Sequence, residues 1–394
     1  MLTEIQSLPK AAKLYLTYSG ISSLYFAWPI FIAYLSGRFG IANVGLYFSV
    51  ISLTSLFAEV PTGYFADHFG KRFSVIAGII CKMVAILVLV LFTSRLSLLT
   101  NAVLYGIGNA LISGALDALF YDSVSHSVYE KTVSLEVPFY QSGLVISALV
   151  GGLLFQINQH LPVLSELLLL SILVIPIWYL GTPKPHSEHE TVVDPKEAFR
   201  SIKRIFTRKN SLIFLGVYLA VVGVHELFIE LTLEKKMIEL SITPFGRGII
   251  IAGIKVLALV VLQGILFKKL KSVRSKAVLA FSSMIIAFPI IGFTSTIAVY
   301  LPFYFLTNAA TMIRDAYLSP IMQKLSSNRT RATDISMYAL VGRIPFAIIA
   351  PAATSYLVSH NTRVLFAISA LSIILVTPPL FKILAWYDQQ TLPN

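Results

Sequence analysis

The sequence predicts an all-α membrane protein of twelve transmembrane helices, built as two six-helix halves. Three observations predict it. Of 394 residues, 56% are hydrophobic and only 13% charged, about half the charged share of a soluble domain. Apolar stretches of about twenty residues recur with short polar punctuation, the length a helix needs to cross a bilayer. One long polar stretch, Thr182 to Asn210, divides them six and six.

In chain order the apolar segments fall at 11–36, 41–66, 74–93, 97–124, 136–158 and 163–181, then 211–233, 243–267, 276–295, 297–323, 334–357 and 362–385. The predicted units are therefore 1–181, a cytoplasmic linker 182–210, and 211–394. The linker opens with Pro183 and Pro185 and closes with Lys203, Arg204, Arg208 and Lys209, and from Pro195 it reads as an amphipathic helix lying on the membrane surface. No short hydrophobic leader with a cleavage site opens the chain, so the first span is expected to act as its own insertion signal. Cys81 sits in an apolar run, has no second cysteine to pair with, and reads as a packing residue.

The net charge of +12 is spread over short loops instead of one helix or strand face, which argues against a nucleic-acid partner. Topology accounts for it. Lysine and arginine collect on the cytoplasmic side, and with both termini inside, the outer loops hold only Arg38, Arg95, Lys235, Lys236 and Arg363. Lys82, Arg247, Lys255, Arg314 and Arg343 fall within or at the edges of spans, and the remaining basic residues are all inside. The expected home is the cytoplasmic (inner) membrane, crossed many times by a monomer.

A faint internal repeat runs through the chain. Gly63, Asp67 and Lys71-Arg72 are followed about 200 positions later by Gly264, Lys268 and the basic residues Lys269, Lys271 and Arg274. Asn109-Ala110 and Asp117-Ala118 return as Asn308-Ala309 and Asp315-Ala316, and Tyr140 as Tyr338. A near-constant offset implies two similar six-helix halves in parallel orientation.

Between the second and third spans lies Gly63-Tyr-Phe-Ala-Asp67-His-Phe-Gly70-Lys71-Arg72. Gly63 would let a neighbouring helix approach closely, and Asp67, four residues on, shares its helix face and is placed to accept hydrogen bonds from a facing helix N-terminus. Gly70 turns the chain, and Lys71 and Arg72 belong among lipid phosphates. This segment closely resembles the signature loop of the major facilitator superfamily, with His68 departing at one basic position. The preceding Glu59-Val-Pro61-Thr62 extends the resemblance toward bacterial drug and metabolite efflux members. The resemblance implies secondary active transport of a small organic solute by alternating access, a cavity lined by spans 1, 4, 7 and 10, and a conformational latch in which Asp67 engages the eleventh span. The antiporter signature of the fifth span is absent: Gly143 and Gly151-Gly152 stand there without its Gly-Pro pair.

Ionisable residues inside a bilayer are costly and so usually line a cavity or pair. On the seventh span, Glu226 and Glu230 are four apart beside His225. Two carboxylates there would repel if both were ionised, so one is expected to hold a proton, a device for coupling solute movement to protons. Asp117 on the fourth span and Arg314 with Asp315 on the tenth are repeat-related, suited to an ion pair made in one conformation and broken in the other. Asp122 reads as part of the gate with Asp67. Lys255 and Arg343 are coupling candidates or structural partners of Glu59 or another acid, and Lys82, on a peripheral span, is expected to snorkel toward the interface. Tyr18, Tyr25 and Trp28, Asn109, Tyr304 and Asn308 complete an amphipathic lining, each single aromatic having packing as its alternative role. No loop carries a metal-binding acidic cluster, so no metal or other cofactor is expected. His189 and Asp194 have an acyltransferase-like spacing but lie in the linker with no glycine motif, so an enzyme is not expected. Together these features point to proton-driven efflux of a drug or metabolite, with proton-coupled or facilitated uptake as the alternative.

Overall fold

The computed structural model describes residues 5–180, 203–227, 231–261, 270, 272–326 and 331–391. Every regular element among them is helical. The first span is α1 (Lys10–Ser22), a 3-10 turn Trp28–Ile30 and α2 (Phe31–Phe39). Spans two to six are single helices: α3 (Ile41–Phe69), α4 (Lys71–Leu91), α5 (Arg95–Ser123), α6 (His126–Ile157) and α7 (Leu161–Tyr179). The seventh span comprises α8 (Lys209–Leu227) and α9 (Leu233–Glu239). Then follow α10 (Pro244–Val261), α11 (Val273–Phe293), α12 (Ile297–Leu325), α13 (Arg331–Tyr356) and α14 (Arg363–Thr391).

Helices α3 to α7, α10, α11 and α14 are each long and apolar enough to cross a bilayer unbroken. The remaining spans are the divided first, the seventh, of which residues 228–230 lie outside the described residues, and α12 and α13, which carry Arg314 and Arg343 and two internal prolines each. The linker residues 182–202, with His189 and Asp194, lie outside the described residues, as do Gly264 and Lys268 of the repeat.

By their contacts the residues form two units, Met1–His189 with Ile242–Gly253, and Glu190–Ser241 with Ile254–Asn394. The first part of α10 joins the first unit because glycine permits a backbone crossing there. A Cβ on Gly248 would fall on the Ala148 carbonyl, and one on Gly152 would stand 2.6 Å from the Pro244 carbonyl oxygen.

Glycines also set the crossings inside the first unit. On α4 and α5, a Cβ at Gly78 would lie 2.8 Å from the Gly108 carbonyl oxygen, and one at Gly108 2.8 Å from that of Gly78. This reciprocal contact brings the helices together by dispersion, since in lipid there is no hydrophobic force to do so. Gly70 has φ 98°, which a side chain would strain, and it turns α3 into α4 as the sequence indicates.

The interruption of the first span at 23–27 is the most consequential local feature. Backbone groups freed from a helix inside a bilayer need internal partners. Ser147 on α6 donates to the Tyr25 carbonyl, and Ser23 donates to Gly20 O at 2.7 Å. Gly143, Ser147 and Gly151, spaced four apart, share one face of α6. Side chains at the two glycines would collide with the Ser23 hydroxyl and the Phe26 carbonyl. Residues that fail the antiporter motif thus form the groove that seats the broken first span.

Candidate carboxylate site and its surroundings

Helices α1, α5 and α6 bring two carboxylates to one tyrosine. The Tyr15 hydroxyl lies 3.3 Å from Asp117 Oδ1 and 3.1 Å from Glu136 Oε2, and the Ser19 hydroxyl donates to Glu136 Oε1 at 2.9 Å. Tyr15 is buried and stacked on Phe120, with centroids 4.0 Å apart, so its hydroxyl is held in place. Asp117 itself is exposed. A phenol has one proton to donate, so it satisfies one of these acids at a time. Both are satisfied together when one carboxyl holds a proton and donates it back to the phenol oxygen. Asp117 is legible in the sequence. Glu136 is not, because it lies in a polar-looking stretch at the start of the fifth span and meets Asp117 only through packing.

In the second unit, the charged groups among the described residues that act on the His225 imidazole are Arg314 and Lys255, and His225 Nδ1 is buried with no hydrogen-bond partner among the described residues. The side chains of Glu226 and Asp315 and the whole of Glu230 lie outside the described residues. What is described on spans 7, 8 and 10 is therefore a cationic group.

A third polar cluster corrects the expectation for Lys82. Instead of snorkelling, its ammonium sits 4.7 Å from the centre of the Tyr105 ring, and its Cγ occupies the space beside Gly108 that a side chain there would take. The Tyr105 hydroxyl donates to Glu166 Oε1 at 3.1 Å, and Glu166 on α7 is 8% exposed. Glu166 sits in an apolar run where hydropathy registers a single tolerated charge, and only the packing of α4, α5 and α7 shows its surroundings.

The aromatic and amide candidates divide. Tyr25, Trp28 and Asn109 are half-buried, whereas Tyr304 and Asn308 are buried. Asn308 donates to the Tyr304 carbonyl at 3.3 Å, and Tyr304 packs on Tyr300 with centroids 5.4 Å apart, so for Tyr304 the packing role holds in this conformation.

At the signature segment, Asp67 and His68 are exposed on the last turn of α3, where His68 stacks on Tyr64 at 5.4 Å. No described atom lies within 4 Å of a Cβ built on Gly63, so the close helix approach expected there is not made in this structure. Lys71 pairs with Asp122 at 2.6 Å, and the Arg72 guanidinium donates to the Leu180 carbonyl at the end of α7. Both basic residues expected among lipid phosphates thus bind protein groups. Glu59 is half-buried and Arg343 exposed.

Residues 15–349 match the family description Major Facilitator Superfamily. The chain belongs to the major facilitator superfamily. That family is one of transporters, not of enzymes. This superfamily member is 23% identical over 198 residues to the uncharacterized MFS-type transporter YxaM of Bacillus subtilis (strain 168), 48% of each chain. It is 22% identical over 181 residues to multidrug resistance protein 1 of the same organism, 46% of each chain. The chain spans about half the length of the curated relatives it matches. In fold it is similar to the nucleoside transporter NupG, with a TM-score of 0.77 at 13% identity, over 95% of this chain and 98% of that one.

Proposed function

We propose that this transporter is a proton-coupled exporter of a small organic solute, a drug or a metabolite, working by alternating access in the cytoplasmic membrane. In this reading it is a monomer with both termini inside, and the pair Asp117 and Glu136 carries the coupling proton. The observation that carries the reading is the single Tyr15 hydroxyl between the two carboxylates. Two acids that share one donor repel each other when both are ionised, and a proton relieves that repulsion. Because Asp117 is exposed while Tyr15 and Ser19 hold Glu136 from the buried side, the proton can enter and leave at Asp117. Export is supported by the Glu59-x-Pro61-Thr62-Gly63 resemblance to efflux members and by the likeness to a multidrug resistance protein. Loss of that proton would leave two anions competing for the single Tyr15 donor, and their repulsion would loosen α1 from α5 and α6, the mechanical step that coupling needs.

Reconstituted vesicles test this. An imposed proton gradient should drive a lipophilic cationic dye or a similar drug out through the protein from the cytoplasmic side, and Asp117→Asn should abolish the gradient dependence. Gradient-independent movement in both proteins would refute proton coupling. The likeness to a nucleoside transporter favours a second reading, uptake with the proton, for which the same pair would serve and the vesicle assay would show solute moving down the proton gradient.

A further inference from the structure

We infer that Glu166 is a second proton-carrying site of the first unit, loaded through Tyr25 and Tyr105 from the interruption in the first span. The inference stands apart from coupling at Asp117, since Glu166 and Lys82 lie on α7 and α4 and the two clusters share only α5 and the first span.

Hydrogen-bond direction carries the argument. Tyr105 spends its only proton on Glu166 Oε1, and Tyr25 is hydrogen-bonded to Tyr105, so the Tyr25 hydroxyl is the donor in that pair. The three groups form a chain directed from span one to span six. Its outer member lies at 23–27, where the helix is interrupted, and such backbone inside a membrane is found where it is packed in protein or lines a water-filled cavity. Tyr25 is half-buried there, whereas Glu166 is enclosed.

The surroundings of Glu166 favour a proton over a metal cation or a fixed ion pair. The charged and titratable groups facing it are Lys82 from α4, Tyr105 from α5, Tyr25 from the first span and Tyr47 from α3. A metal cation at Glu166 would stand against the like charge of the Lys82 ammonium. Yet no Lys82–Glu166 contact within 4.0 Å is present. The Tyr105 ring lies beneath the ammonium and its hydroxyl lies on the carboxylate, so the tyrosine mediates between the two charges. An enclosed carboxylate without a contacting cation is costly as an anion, and one proton removes that cost.

Loading proceeds without ionising either phenol. Hydronium at the interruption gives a proton to the Tyr25 oxygen, the original Tyr25 proton passes to the Tyr105 oxygen, and that of Tyr105 passes to Glu166 Oε1. One O–H bond forms and one breaks at each phenol, and water and a carboxylic acid are the products.

Infrared difference spectroscopy on the full chain in lipid nanodiscs, stepped between acid and neutral pH, tests this without a substrate. Carbonyl bands from protonated carboxyl groups should appear on acidification; in an Asp117→Asn background the remaining band should vanish in Glu166→Gln and move to higher frequency in Tyr105→Phe, which lacks the hydroxyl. Tyr25→Phe should keep the band but slow its appearance at least several-fold. If Glu166→Gln does not insert, the two phenylalanine variants decide alone. Spectra in Tyr105→Phe or Glu166→Gln identical to that background would overturn the inference and leave a permanently ionised pair.

Discussion

Arg38 and Lys236 stand 198 positions apart, and each closes the third helix of its own half. Arg38 Nη2 donates to Val90 O at 3.1 Å and Phe92 O at 3.4 Å, at the end of α4. Lys236 Nζ donates to Gly292 O at 3.1 Å, at the end of α11. The last carbonyls of a helix have no partner within it, and a cation there also meets the negative end of the helix dipole. Each basic residue stands beside a group at the start of the sixth helix of its half. Arg38 Nη1 lies 3.0 Å from His160 Nδ1, and Glu239, 3.7 Å from Lys236, accepts the Thr362 N–H and hydroxyl at 2.9 Å each. The internal repeat therefore extends to paired fastenings that residue identity conceals.

Removing either fastening should destabilise its half. Lys236 is 4% exposed, and Lys236→Met leaves a buried carbonyl without a donor, at a cost of about 1–3 kcal/mol. Glu239→Gln should weaken the cap on α14 by about 1 kcal/mol. Thermal unfolding followed by fluorescence-detected size exclusion measures both, and an unchanged Tm in Lys236→Met would refute the role assigned to it.

The two fastenings should differ in acid. Partial burial and the neighbouring Arg38 hold His160 below the usual histidine range, since the neutral ring accepts from a guanidinium that would repel its charged form. The unfolded chain then binds more protons than the folded one below about pH 6.5. Stability from this contact is complete above that value and is lost as pH falls toward the lower folded-state value. Tm should drop on mild acidification in the wild type and drop less in His160→Gln.

Glycine substitutions should separate packing from function. Gly151→Val and Gly248→Val drive a side chain into the Phe26 and Ala148 carbonyls, and each should cost about 1–3 kcal/mol or block accumulation in the membrane. Gly63→Ala meets open space and should unfold like wild type. If the signature segment is a latch, Gly63→Ala will nevertheless slow transport, and retention of full turnover would count against it.

The latch itself makes a sharper prediction. Asp67→Asn should remove most turnover while the protein stays folded and inserted, because Asp67 is exposed here and forms no hydrogen bond or ion pair among the described residues. Asp122→Asn breaks the 2.6 Å bond to Lys71, yet a partly exposed pair contributes no more than about 1 kcal/mol, so any large loss of transport in that variant reflects gating. Parallel measurements of Tm and solute flux separate the two.

Hydropathy and turn chemistry alone determined the twelve spans, the turn at Gly70 and the candidacy of Asp117, because apolar run length and glycine's freedom at positive φ act locally. Sequence spacing also revealed the half-repeat at Asn109 and Asn308. Only the tertiary structure decided which charges meet. Glu136 and Glu166 escaped notice and Lys82 was assigned to the interface, because their partners come from other helices and a period along one helix does not specify which neighbour its face will touch. The same limit hid the groove of Gly143, Ser147 and Gly151: small residues signal close packing, but that they seat an interrupted first span depends on α1, α2 and α6 folding against one another.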